Sequence, residues 1–499
     1  MSGVGFVEPA AEPHPAVLAG GAALLRPLLE AALAALEDGV ARRGGPVPSG
    51  EPGELAELVR ATLGEALPAT GTGAVAALEQ LTRLLAYGSA DPADPACAAH
   101  LHCPPLAVAV AAEMAAAALN PSLDSWDQAP AATALEDEVV RGLAGLVGFD
   151  PDRAAGVVTC GGTESNLMGL LLARDAAVRR ETGLDPALEG LPVVACRLRV
   201  YASEAAHFSV QRNAALLGLG ETAVVPVPVD ARHRMDPAAL ERALDTGGGV
   251  SMAIVATAGT TDFGSVDPLP EIADLARRHG AWLHVDAAYG GGALFSSRLA
   301  GLLDGIAAAD SVALDLHKLG WQPVAAGVFL AREAAAMAPL ARRVAYLNPA
   351  DDEAAGYVSL LGRSLRTTRR ADVFKIAVTL RALGREGLGR LVDACHDLAR
   401  HAADRIAAHP RLELAAEPVL TTVVFRYLPT TGDPDRVNAA LRRRLLRAGR
   451  AVVGRTELGG AEPGGRVRLK LTLLNPHATR ADVDALLAAV VAAGVEEDR

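Results

Sequence analysis

Hydrophobic spacing changes character twice along this chain. Up to about residue 130 apolar positions recur at helical intervals, first in an Ala/Leu-rich stretch over 16–36, then beyond a Gly/Pro break at 44–53, and on through 107–119. From about 135 to 335 the pattern becomes short apolar runs separated by helical stretches: 156–159, 193–195 with Val200, 251–257, 281–286, 311–316 and 327–331. These runs lack polar alternation, so both faces of each strand must be covered, as in a buried and largely parallel α/β sheet. Past 380 a long helix over 388–408 leads to strands at 420–427 and 467–474, which reads as a smaller α+β domain. The expected organisation is an N-terminal helical extension over 1–130, a large α/β domain over 131–380 and a small α+β domain over 381–499.

Composition narrows the class of partner. A chain of 499 residues that is 51% hydrophobic can bury a large core. Its net charge of −12 is spread along the sequence, which argues against nucleic acid or an anionic membrane as partner and for a small soluble substrate. Cys97, Cys103, Cys160, Cys196 and Cys395 form no CxxC pair and no metal-ligand spacing, and the start has no basic segment followed by an apolar core. The expectation is a cytoplasmic protein without a metal. The longest apolar runs, such as 107–119, are Ala-rich and interrupted, so no membrane span is expected.

The chemistry is narrowed by a scarcity. Only three lysines occur, against 44 arginines, and a guanidinium cannot serve as a nucleophilic amine. Lys375 sits among apolar neighbours on a helix, where its stem could snorkel to water, and Lys470 alternates with apolar residues, as if pointing off the solvent face of a strand. Lys318 instead ends a buried strand in Asp315-Leu316-His317-Lys318, at the carboxyl edge where open α/β sheets bind ligands.

Two other strand ends carry candidate chemistry. After 156–159, the turn Gly161-Gly162-Thr163 opens a helix, and this is either a plain connection or a phosphate site built from helix N-terminal amides. After 281–285, Asp286 either caps the next turn or pairs with a protonated heteroaromatic nitrogen. His207 is either a satisfied core histidine or a ring-stacking residue.

Taken together the segments resemble the group II pyridoxal-phosphate decarboxylases. The resemblance rests on Gly-Gly-Thr-Glu-Ser-Asn-Leu at 161–167, Ser-Glu-Ala-Ala-His-Phe-Ser at 203–209 and Ala-Gly-Thr-Thr-Asp-Phe-Gly-Ser-Val-Asp-Pro at 258–268. It continues through His-Val-Asp-Ala-Ala-Tyr at 284–289, Asp-Leu-His-Lys at 315–318 and Thr-Thr-Arg-Arg at 367–370, and spans about 95–475. The run Ser122-Leu123-Asp124-Ser125-Trp126-Asp127-Gln128 and the segment Tyr346-Leu347-Asn348-Pro349 look most like the bacterial diamino-acid branch, which decarboxylates lysine, ornithine or 2,4-diaminobutyrate.

The resemblance implies the PLP-dependent transferase-like fold (fold type I), a homodimer with its active site near the interface, and pyridoxal 5'-phosphate as cofactor. It implies that Lys318 holds the cofactor as a Schiff base, that Asp286 pairs with the ring nitrogen, and that His207 and Ala288 pack on the two ring faces. Gly162 and Thr163 match the phosphate turn, with Ser209 a further candidate, while Thr261, Asp315 and His317 match polar neighbours of the cofactor. Tyr357 matches the family's proton donor by position, with His207 its rival. His102, Asp124 and Asp127 are the candidates for contact with the substrate side chain, although both aspartates could instead cap a helix. The implied activity is decarboxylation of an L-amino acid, a diamino acid first; the alternatives are an aromatic or acidic amino acid, an aminotransferase or lyase of the same fold, and a cofactor-free regulatory paralogue.

Overall fold

The computed structural model describes residues 18–19, 21–458 and 465–499; the first part of the 16–36 stretch, at residues 16–17, lies outside them. Numbered along the chain, the strands are β1 (Cys97–Ala98), β2 (Ala155–Thr159), β3 (Leu198–Ser203), β4 (Val224–Val227), β5 (Val250–Thr257), β6 (Trp282–Ala287), β7 (Ser311–Asp315) and β8 (Gly327–Ala331). They continue with β9 (Leu412–Leu414), β10 (Thr422–Tyr427), β11 (Val452–Glu457) and β12 (Val467–Thr472).

The middle strands form one sheet in the order β2-β8-β7-β6-β5-β3-β4. Strands β7, β6, β5, β3 and β4 are parallel, and β8 runs antiparallel to both β7 and β2. Every residue of β7 and of β8 is buried, as are Ile254, Val255 and Ala256 of β5, which explains their unbroken apolar runs. The helix Gly162–Thr182 leaves the end of β2 and lies against the sheet, closing with Gly183 in the left-handed region and Arg179 and Arg180 in its last turn.

A second sheet has the order β1-β11-β12-β10-β9. The segment at 97–98 thus joins the C-terminal strands, pairing Cys97 with Val452. The helix Val373–Ala407 begins well before the expected 388 and bends at Gly384, whose φ of 64° interrupts the helical run.

Three expectations are corrected. The run at 193–195 is a 3-10 turn, Val193–Arg197, with Val193 exposed; the strand starts at Leu198, where pairing with β5 becomes available. Lys375 does not reach water: it is 1% exposed and paired with Glu113 at 3.0 Å and Asp372 at 3.3 Å. Lys470 does not face solvent either, because that face of the small sheet packs on the loop after β5, where its Nζ meets Asp262 at 2.9 Å. Among the described residues no helix is long and apolar enough to cross a membrane.

Candidate active site

Parallel strands place their carboxyl ends on one edge of the sheet, and the connections leaving β2, β3, β5, β6 and β7 enclose a cavity of about 560 Å3 there. Each connection contributes side chains. Gly162 and Thr163 follow β2, His207 follows β3, Thr261 follows β5, Asp286 and Ala288 lie at the end of β6, and Asp315, His317 and Lys318 at the end of β7; all line the cavity. Five stretches of chain far apart in sequence thus meet around one space.

Lys318 Nζ lies 2.8 Å from Asp315 Oδ2, which also stands 3.6 Å from His317 Nε2. The backbone N–H of Ala326 donates to His317 Nδ1 over 3.2 Å, which puts the ring proton of neutral His317 on Nε2. Burial holds the His317 imidazole below its ordinary value, although Asp315 acts against this. On the β6 side, Asp286 accepts from Asn166 Nδ2 at 2.7 Å and from the backbone N–H of Ala288 at 3.1 Å. His207 is held by Ser209, whose hydroxyl lies 2.9 Å from His207 Nδ1, and burial lowers its basicity despite the nearby Asp286.

The remaining candidates sit elsewhere. Ser209 is fully buried, with its hydroxyl engaged by Asn166 and His207, and does not line the cavity. Tyr357 is half exposed and packs edge-on against Trp126, with ring centroids 5.0 Å apart, outside the cavity lining. Its segment is tied down by Ser359 Oγ, which donates to the Asp124 carbonyl. Asp124 is buried, and its Oδ1 makes no hydrogen bond within the protein. Asp127 is exposed and accepts from Ser125 Oγ at 2.6 Å, and His102 is exposed. Neither aspartate caps the helix Pro130–Leu146, whose N-cap is Ala129 without a side-chain bond.

Asn166, His284 and Glu164 stand inside the motifs at 161–167 and 284–289 but have no role assigned from sequence. Asn166 and Glu164 line the cavity, and Glu164 pairs with Arg366 at 2.9 Å. Asn166 falls one helical turn after Gly162, so helical spacing from the turn would have flagged it. Arg369 belongs to a quoted motif but was given no role; it is buried against Glu136 at 2.6 Å, with Nε and Nη2 making no hydrogen bond within the protein.

The chain as a whole is similar to known proteins. Residues 56–428 match the model of the pyridoxal-dependent decarboxylase conserved domain. The chain is 44% identical over 429 residues to an L-2,4-diaminobutyrate decarboxylase of Rhizobium meliloti (strain 1021), covering 85% of this chain and 83% of that one. It is 39% identical over 436 residues to the enzyme of the same name from Acinetobacter baumannii, covering 85% and 84%. A solved structure from Vibrio parahaemolyticus, the glutamate decarboxylase domain of diaminobutyrate-pyruvate transaminase and L-2,4-diaminobutyrate decarboxylase, superposes with a TM-score of 0.84 at 34% identity over 96% of both chains.

The chain belongs to the pyridoxal-dependent decarboxylase family and has its fold type I architecture. It is a pyridoxal-phosphate-dependent carboxy-lyase acting on an amino acid. The cavity fits that cofactor. Two buried polar atoms on its wall, Thr257 Oγ1 and Asp315 Oδ1, make no hydrogen bond within the protein, and the helix start approaches β6 so closely that a Cβ at Gly162 would come within 2.8 Å of the Ala288 Cβ.

Proposed function

We propose that the chain decarboxylates L-2,4-diaminobutyrate or a close diamino-acid relative, with Lys318 as the amine that holds the cofactor. The observation that carries this reading is Lys318 Nζ, 2.8 Å from Asp315 Oδ2, in a cavity that Asp286 also lines. Two relatives bearing the diaminobutyrate name and covering most of the chain support the substrate.

Bound pyridoxal phosphate supplies an aldehyde that condenses with amines and a protonated ring that takes up the electron pair left when carbon dioxide departs. Asp286, held by Asn166 and the Ala288 amide, would keep the proton on the ring nitrogen. Gly162 and Thr163 offer the start of their helix to the phosphate. His207 and Ala288 would pack on the ring, and Thr261 and His317 would border it, since all four line the cavity. Asp315 Oδ2 pairs with Lys318 Nζ and fixes its position at the end of β7.

For the proton delivered to the α-carbon, Tyr357 is the candidate by sequence position and His207 its rival. That His207 lines the cavity while Tyr357 packs outside it on Trp126 favours His207. The substrate's second ammonium calls for a carboxylate: Asp124 and Asp127 both stand outside the cavity lining, and the unpartnered Asp124 Oδ1 supports Asp124 ahead of Asp127 and His102.

A homodimer with the site near its interface belongs to the same proposal. Leu29, Leu33, Leu36 and Val40 leave an exposed apolar stripe along the helix Ala22–Arg43, a surface suited to a second copy. All five cysteines are free thiols, which supports the reducing cytoplasm as location. Replacing Lys318 by alanine tests the reading: the protein should lose both the absorbance band of lysine-bound cofactor and carbon dioxide release.

A further inference from the structure

We propose that His284, Asn166 and Ser209 form a one-directional hydrogen-bond relay that sets the orientation of Asp286 and the tautomer of His207, so that two cofactor-facing groups are positioned by a single buried chain. This rests on the reading that Asp286 faces the cofactor ring.

The relay follows from donor and acceptor bookkeeping. It starts with Trp282 Nε1, which can only donate and does so to Ser311 Oγ at 2.9 Å. The Ser311 hydroxyl proton is then turned toward His284 Nδ1, 2.8 Å away. With Nδ1 accepting, the one proton of a neutral His284 lies on Nε2, which reaches Asn166 Oδ1 at 3.0 Å. His284 is fully buried, and burial pushes its imidazole down to about 4 in spite of nearby Asp286, so the neutral ring is the form present at neutral pH.

The Asn166 amide has no freedom left. Its oxygen accepts from His284, so both Nδ2 protons point the other way, one to Asp286 Oδ2 at 2.7 Å and one to Ser209 Oγ at 3.0 Å. A flipped amide would set oxygen against carboxylate and nitrogen against the His284 N–H. Ser209 Oγ, having accepted from Asn166, gives its proton to His207 Nδ1 at 2.9 Å, and the Ser209 backbone N–H points at the same atom over 3.3 Å. His207 therefore carries its proton on Nε2. All four linking side chains, Ser311, His284, Asn166 and Ser209, are at most 1% exposed, so water does not compete for these bonds. The packing is also specific: a Cβ at Gly169 would stand 2.5 Å from His284 Nδ1, so only glycine lets the helix lie on the ring.

The relay makes His284 a positioning residue that never touches the cofactor. Four holoenzyme variants test it: His284→Leu, His284→Gln, which returns an amide N–H, Ser209→Ala, and Asp286→Asn as the reference. The readouts are pyridoxal phosphate affinity from titration of the apo-protein, the pH titration of the bound cofactor's absorbance, thermal stability, and kcat and KM across pH. His284→Leu should weaken cofactor binding about 10–100-fold and move the absorbance titration in the same direction as Asp286→Asn, with partial recovery in His284→Gln. Ser209→Ala should leave cofactor affinity near wild type and shift the pH profile of kcat, because it cuts only the His207 arm.

Lower thermal stability in His284→Leu with unchanged affinity and absorbance titration would reduce His284 to packing and overturn the relay. An unchanged kcat profile in Ser209→Ala would remove the His207 arm. Should Asp286→Asn itself leave affinity and absorbance untouched, the reading of Asp286 fails, an outcome separate from the failure of the relay. If His284→Leu does not fold, Ser311→Ala keeps the ring and frees its tautomer; the relay requires a shift in the same direction, and none would overturn it.

Discussion

Lys470 Nζ, on a side chain rising from β12 in the small sheet, lies 2.9 Å from an Asp262 carboxylate oxygen and 3.1 Å from the Thr261 carbonyl oxygen. Thr261 lines the cofactor cavity, so the small sheet fixes a wall of the site. Lys470→Met should lower stability by only about 1 kcal/mol, since Asp262 is partly solvated, yet let pyridoxal phosphate dissociate several-fold faster. Cofactor release after dilution, set against the shift in urea midpoint, separates the two effects. A large stability loss with unchanged release would show that the contact does not govern the wall.

Gly162→Ala tests the close approach of the helix start to β6. The added Cβ would meet the Ala288 Cβ at 2.8 Å and Asp315 Oδ2 at 3.2 Å. Overpacking of this kind costs about 1–3 kcal/mol, which should appear mainly as weaker cofactor binding, because Gly162 and Ala288 both line the cavity. Adding Ala288→Gly should recover part of the loss. Cofactor titration of the single and double variants measures both.

His284 should leave a signature in the pH dependence of folding. Burial pushes its folded imidazole well below the ordinary 6.5, so below that value the unfolded chain binds the extra proton. Its contribution to stability is therefore complete above pH 6.5 and is lost as pH falls toward 4, on the order of a few kcal/mol in total. Asp267 works the other way: burial raises its carboxyl from 3.8 to about 6, so the folded state binds the extra proton and stability from this group declines as pH rises through that range. The difference between wild type and His284→Leu cancels the Asp267 effect. In urea unfolding of the apo-proteins that difference should shrink from pH 7.5 to pH 5, and a constant gap would contradict the assignment.

Most strands of the large sheet were legible because strands buried on both faces carry largely apolar runs, as β5 and β7 do, whereas β4, four residues at the sheet edge with Pro226 exposed, gave no such run. The run at 193–195 misled because apolarity alone does not distinguish a strand from a turn that precedes one. Lys375 and Lys470 misled for a different reason. Their partners Glu113 and Asp262 lie 262 and 208 residues away, and no local pattern announces them. The cavity-lining residues at the strand ends were readable as motifs, whereas His284 looked like an ordinary strand residue, since its bond to Asn166 spans 118 positions.

The central claim is settled most directly by supplying the holoenzyme with L-2,4-diaminobutyrate, lysine, ornithine, and aromatic and acidic amino acids, and measuring carbon dioxide and products together. The account predicts carbon dioxide and 1,3-diaminopropane in equal amounts from L-2,4-diaminobutyrate, both abolished in Lys318→Ala. Formation of a keto acid without carbon dioxide, or carbon dioxide release that survives the loss of Lys318, would contradict it.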